Sequence, residues 1–185
     1  MDHGEVEQAM TGTIDINELG RSVDPKTLSD QDLLATLGTA LRDGDPKAVD
    51  PSLFARLVKG ASKQQLATIM SSDVRRPVLD AIFGRMSEFY SSKGASGNRQ
   101  VVHWHIKDGD TVDSFQTVLH EGTCTVTAGT DEEPRTALTM PGTEFLKIVT
   151  NNANPVTLFM TRKLKVSGDV GFATALPNMF RIPSA

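Results

Sequence analysis

Three histidines and one cysteine are the side chains in this sequence best suited to metal or nucleophile chemistry. His103 and His105 stand two residues apart, with His120 downstream. Imidazoles on one face of a strand are the usual raw material of a zinc site. Val102, Trp104 and Ile106 alternate with them, however, so a half-buried strand with its polar side in solvent accounts for the pair, and no metal is expected. Cys124 is the single cysteine and cannot form an intrachain disulfide. With no basic neighbour in sequence to lower its pKa, it reads as a buried structural thiol. Asp43-Gly44-Asp45 through Asp50 has the acidic spacing of a calcium loop, but it lacks the glycine at the sixth position and the glutamate at the twelfth, which leaves a helix-ending turn. There is no Gly-x-Ser-x-Gly elbow, Gly-x-Gly-x-x-Gly turn, phosphate loop or His-Glu-x-x-His helix. The chain is therefore expected to have no catalytic residues and no cofactor.

The formal charge of −4 speaks against a nucleic-acid partner, which would call for a clustered cationic surface. Charge is uneven: residues 1–72 carry seven Lys/Arg against eleven Asp/Glu, and residues 73–185 carry twelve of each. No apolar run is long enough to span a membrane, and the start Met1-Asp2-His3-Gly4-Glu5 lacks the basic and apolar regions of a signal peptide. A soluble, cytoplasmic chain is expected.

The elements divide at the same place as the charge. Residues 1–27 show no apolar period and read as a mobile tail. Residues 28–72 form a helical extension of three amphipathic pieces. The first opens at Ser29 with Asp32 and carries Leu33, Leu34, Leu37 and Leu41; the second opens at Asp50-Pro51 and carries Leu53, Phe54, Leu57 and Val58; the third opens at Ser62 with Gln65. Residues 73–185 form the main domain. Its first helix is predicted over 77–90, after which the period changes from 3.6 to 2. Strands are predicted around Val102–Ile106, 111–119, Cys124–Val126 and 136–140, and their short connections suggest an antiparallel meander. Helices at Pro141 and Asn154-Pro155, a fifth strand at Leu164 and Val166, and a closing helix complete an α+β architecture.

The segment Asn154-Pro155-Val156-Thr157-Leu158-Phe159-Met160-Thr161-Arg162-Lys163-Leu164-Lys165-Val166-Ser167-Gly168-Asp169-Val170-Gly171-Phe172-Ala173 resembles the signature of sterol carrier protein type 2 domains, from an Asn-Pro helix through a Lys-Leu-Lys strand to a helix start. Ile106-Lys107-Asp108-Gly109, Glu121-Gly122 and Leu138-Thr139-Met140 before Phe145-Leu146 match that family's landmarks in order. The resemblance covers about residues 73–182 and implies a five-stranded mixed sheet with helices around a hydrophobic tunnel. It also implies carriage of fatty acids, acyl-CoA esters, sterols or phospholipids without chemistry. Pro177 departs from the pattern and should end or kink the closing helix early. The last residues, Ile182-Pro183-Ser184-Ala185, differ from a peroxisomal Ser-Lys-Leu address.

Under that resemblance the residues expected to line the tunnel are Leu79, Ile82, Phe83 and Met86 on the first long helix and Trp104 and Phe115 on the sheet. Leu146, Phe159, Phe172, Leu176, Met179 and Phe180 follow from the later elements. Lys163 and Lys165 alternate outward beside Arg162, a placement that suits a solvated strand edge better than contact with lipid head groups or an acyl-CoA phosphate. Withdrawing a 16-carbon tail from water yields roughly 13 kcal/mol, against an association cost of about 4–15 kcal/mol. The expected partners are an apolar lipid, transient membrane contact, and a protein partner or second copy through residues 28–72.

Overall fold

The computed structural model describes residues 16–22, 24–43, 49–91 and 97–185. Within residues 1–27, expected as a tail, α1 spans Ile16–Ser22 and a 3₁₀ turn spans Pro25–Thr27. The expected turn at 44–46 and the link at 92–94 lie outside the described residues. Three helices follow: α2 (Asp30–Asp43), α3 (Pro51–Gly60) and α4 (Lys63–Met70). Their starts are fixed by local chemistry. Asp50 accepts from the Ser52 amide at 2.8 Å with Pro51 behind it, and Ser62 and Gln65 form a reciprocal capping box.

The helix predicted over 77–90 is in fact two: α5 (Arg75–Gly84) and α6 (Met86–Phe89). Arg85 leaves the helical path at the join, and its guanidinium donates to the Val49 carbonyl at 2.6 Å. A contact 36 residues distant in sequence thus breaks a run that is helical by period alone.

The sheet comprises β1 (Gln100–Asp108), β2 (Thr111–His120), β3 (Thr123–Ala128), β4 (Thr136–Pro141) and β5 (Lys165–Gly168), in spatial order β3-β2-β1-β4-β5. The meander holds for the first three strands only. β4 does not extend it but lies parallel to β1, with Trp104 opposite Leu138, which makes the sheet mixed. To get there the chain from β3 crosses the back of β2 and β1. On the way, the Glu132 amide donates to Gln116 Oε1 at 2.8 Å and the Arg135 amide donates to the Val101 carbonyl at 2.8 Å. This crossing also corrects the solvent-exposed reading of His103: the ring is 8% exposed, with Nε2 2.8 Å from the Glu132 carbonyl oxygen.

After the sheet's fourth strand come α7 (Gly142–Val149) and α8 (Pro155–Met160); after β5 come α9 (Val170–Ala175) and a 3₁₀ turn at Leu176–Met179. Asn151 takes the left-handed conformation (φ 57°) that closes α7, and Asn154 caps α8 by accepting from the Val156 amide at 2.8 Å. Pro177 stands in the 3₁₀ turn, so the closing helix ends early. The front face of the sheet, carrying Val102, Trp104 and Ile106, is buried in one core with α2, α4, α5 and α7.

Candidate ligand cavity

The site is an apolar cavity of about 170 Å³ between the front of the sheet and the helices. Its floor is Trp104 on β1 and Leu138 and Met140 on β4, neighbours because β4 pairs beside β1. Val78, Ala81 and Ile82 of α5 and Met86 and Phe89 of α6 form one wall; Val156 and Phe159 of α8 stand on another. Leu176, Pro177 and Phe180 close the C-terminal side. Leu37 and Leu41 of α2, with Val49, Pro51 and Phe54, complete the enclosure. Among the described residues, Arg85 and Thr174 are the only ones lining the cavity with polar side chains apart from the Trp104 indole, and Arg85 is committed to Val49 and, at 3.0 Å, to Glu88.

Of the residues expected to line a tunnel, Ile82, Met86, Trp104, Phe159, Leu176 and Phe180 line this cavity. The other six are placed around it. Phe83 stacks on Phe115 at 4.0 Å and on Phe145 at 5.1 Å, forming the rigid aromatic base beneath the floor. Trp104 meets Phe83 edge-on at 6.0 Å and donates its indole N–H to Thr117 Oγ1 at 2.9 Å, which fixes the ring in the floor. Leu79 is fully buried, and Leu146 lines a second cavity of only about 20 Å³ between α2, α3 and α4. Phe172 lies under the Arg135 guanidinium at 4.4 Å, and Met179 is half-buried, with its carbonyl accepting from the Ser91 amide.

Sequence reasoning did not assign Leu37, Leu41, Val49, Pro51 or Phe54 to the site. The spacing of Leu37, Leu41 and Phe54 on their helix faces is legible in the sequence, but the surface they face is brought to them only by the fold. The titratable candidates lie elsewhere. His105 Nδ1 is 2.9 Å from Ser114 Oγ, and His120 Nδ1 is buried without a partner. Cys124 is half-buried on β3, and burial pushes its thiol up to about 12, away from nucleophilic use. Among the described residues no helix is long and apolar enough to cross a membrane.

The sequence model of the SCP-2 sterol transfer family matches residues 83–181. Among solved structures, the chain is similar to apo Sterol Carrier Protein 2 from Yarrowia lipolytica, with 22% identity over 60% of this chain and 94% of that one, at a TM-score of 0.45. It is also similar to palmitated SCP2L2 from Aedes aegypti, at 19% identity, 57% and 93% coverage and TM-score 0.46. A third likeness is to the stereoselective inverting sec-alkylsulfatase Pisa1 from Pseudomonas sp., at 12% identity and TM-score 0.50, covering 89% of this chain but 29% of that enzyme. A search of curated proteins finds no match. The five-stranded mixed sheet under its helices, with the family match over more than half of its length, makes this chain a member of the SCP-2 sterol transfer family, whose domains bind and transfer lipids.

Proposed function

We infer that the chain holds one apolar lipid, of the fatty acid, acyl-CoA or sterol kind, in this cavity and carries it through the cytoplasm without transforming it. The observation that supports this is the cavity itself. Its lining is almost wholly apolar, so water there makes few hydrogen bonds and the walls stay poorly packed without a ligand. A bound hydrocarbon restores the missing packing contacts. The gain on leaving water is nearly the same in a bilayer as in the cavity, so exchange with a membrane is close to balanced, as transfer requires. The twelve residues expected from sequence serve this reading in two ways: six by touching the ligand and six by holding those that do. The test is native mass spectrometry of the purified protein followed by organic extraction. A stoichiometric lipid adduct is expected. Protein that is empty and also fails to take up added fatty acid or sterol would shift the reading to an interaction module docking or dimerising through residues 28–72.

A second reading is favoured by one observation: the likeness to the alkylsulfatase spans nearly the whole of this chain, its N-terminal helices included, as a minor part of a larger enzyme. Here the chain would be an accessory domain presenting lipid to a separate catalytic protein. Activity that appears only on mixing with such a protein is its mark.

A further inference from the structure

The rim of the cavity carries features that enclosing a ligand does not explain. Among the described residues lining the cavity, only Val156, Phe159 and Thr174 are exposed, so it opens between α8 and α9. At this opening α8 shows solvent three large apolar side chains: Val156 (46% exposed), Phe159 (37%) and Met160 (77%). Single exposed apolar residues are ordinary, but three on one six-residue helix at a cavity mouth form a patch. Arg162, Lys163 and Lys165 follow at once, all exposed. Lys163 lies 3.5 Å from Glu144, and among the described residues no ion pair involves Arg162 or Lys165. These cations stand together in a chain whose net charge is −4.

The backbone adds an independent sign. Arg162 has φ 62°, the left-handed position after α8, where the next amide, that of Lys163, turns back to the Leu158 carbonyl at 2.9 Å. Glycine occupies this position without strain, whereas arginine does not. Strain retained beside an apolar rim points to a use for the charge at that spot.

We propose that α8 and the Arg162–Lys165 segment dock the cavity mouth onto an anionic phospholipid bilayer. Met160, Phe159 and Val156 enter the interfacial layer while the three cations meet lipid phosphates and carboxylates. The apolar patch is one short helix, well below the roughly 800 Å² per partner of a stable protein interface. A bilayer sets no such threshold and supplies the complementary charge. The proposal deepens the carrier reading, since docking here sets the open cavity against the source of its ligand.

The test is flotation of the full chain with phosphatidylcholine vesicles, plain or containing about a third phosphatidylserine. Uptake of cis-parinaric acid in vesicle-free solution is measured alongside. The wild type is expected to float with the anionic vesicles and not with the neutral ones. Met160→Asp should abolish flotation, and Arg162→Gly with Lys165→Gln should weaken it roughly thirtyfold, two cations' worth of attraction. Parinaric acid uptake should not change in any variant, because none of these side chains lines the cavity. Arg162→Gly should keep or raise the melting temperature, which separates lost charge from lost fold. Wild type that ignores anionic vesicles, or flotation that survives Met160→Asp, overturns the proposal. Flotation without parinaric acid uptake by the wild type would instead strike the carrier reading and leave the docking surface standing.

Discussion

Two side chains that look reactive in sequence are tuned by burial, and each gives a measurable consequence. The Cys124 thiol, pushed up to about 12, holds almost no thiolate near pH 8. The loss of thiolate outweighs the greater intrinsic nucleophilicity of a more basic sulfur, so alkylation by iodoacetamide should run on the order of a hundredfold slower in native protein than in urea. Equal rates would mean that β3 leaves the thiol open. His105 is held below its ordinary 6.5, first by burial and then by repulsion from the neighbouring His103 ring, whose centroid is 5.9 Å away. The unfolded chain therefore takes up this proton before the folded one does. Stability from a neutral His105 is complete above the unfolded value, begins to fall near about 6.5 and is lost as pH drops through the lower folded value. His105→Gln should accordingly lose less melting temperature than wild type between about pH 7.5 and about pH 5. Identical slopes for the two proteins would show that the ring titrates as if in water.

At the scale of elements, the joint between helices and sheet rests on Arg75. It opens α5, where the helix dipole disfavours a cation, and its side chain is only 7% exposed. Nη2 donates to the Ile106 carbonyl at 2.6 Å, and Nε lies 2.8 Å from Asp113 Oδ2 as an ion pair without an aligned hydrogen bond. The residue thus pins α5 to the far end of the β1–β2 hairpin. Arg75→Ala leaves the Ile106 carbonyl without this donor and the largely buried Asp113 carboxylate with only the longer pair to Arg76 at 3.5 Å, and should cost about 2 kcal/mol in urea unfolding; a loss under about 0.5 kcal/mol, as at an ordinary surface position, would show the clamp to be idle. No period or motif marks this residue, because the hairpin groups it binds, Ile106 and Asp113, stand more than thirty positions away. The same contrast separates what could be read in the sequence from what could not. The caps at Asp50-Pro51, Ser62 with Gln65 and Asn154-Pro155 are decided within four residues, and so is the alternation of Val102, Trp104 and Ile106. The break at Arg85, the parallel seat of β4 beside β1 and the cover over His103 each depend on a distant segment. Six of the expected tunnel residues lie outside the cavity lining for the same reason: spacing tells which way a side chain points, but not whether a void or another side chain lies opposite.

At the scale of the molecule, the family match begins at residue 83, yet the cavity is closed by side chains that precede it. Leu37, Leu41 and Phe54 face the same space as Trp104 and Leu138, which makes α2 and α3 part of the cavity's wall. The close fit of Gly142 against α4 supports this: a Cβ there would come within 2.5 Å of Met70 Cε, so α7 and α4 meet without a gap. Two truncations distinguish a wall from a mere support. Phe54 borders both cavities, whereas Leu57, 6% exposed on the same helix, borders only the small one. Phe54→Ala and Leu57→Ala should each destabilise by about 2–4 kcal/mol. Only Phe54→Ala removes apolar surface that a bound lipid would touch, so it should weaken cis-parinaric acid binding by roughly tenfold, about 1.4 kcal/mol. Leu57→Ala, with comparable loss of stability, should bind as the wild type does. Equal weakening by both would trace the effect to looseness of α3, and no weakening by either would confine the ligand to the part of the cavity built by residues 83–181.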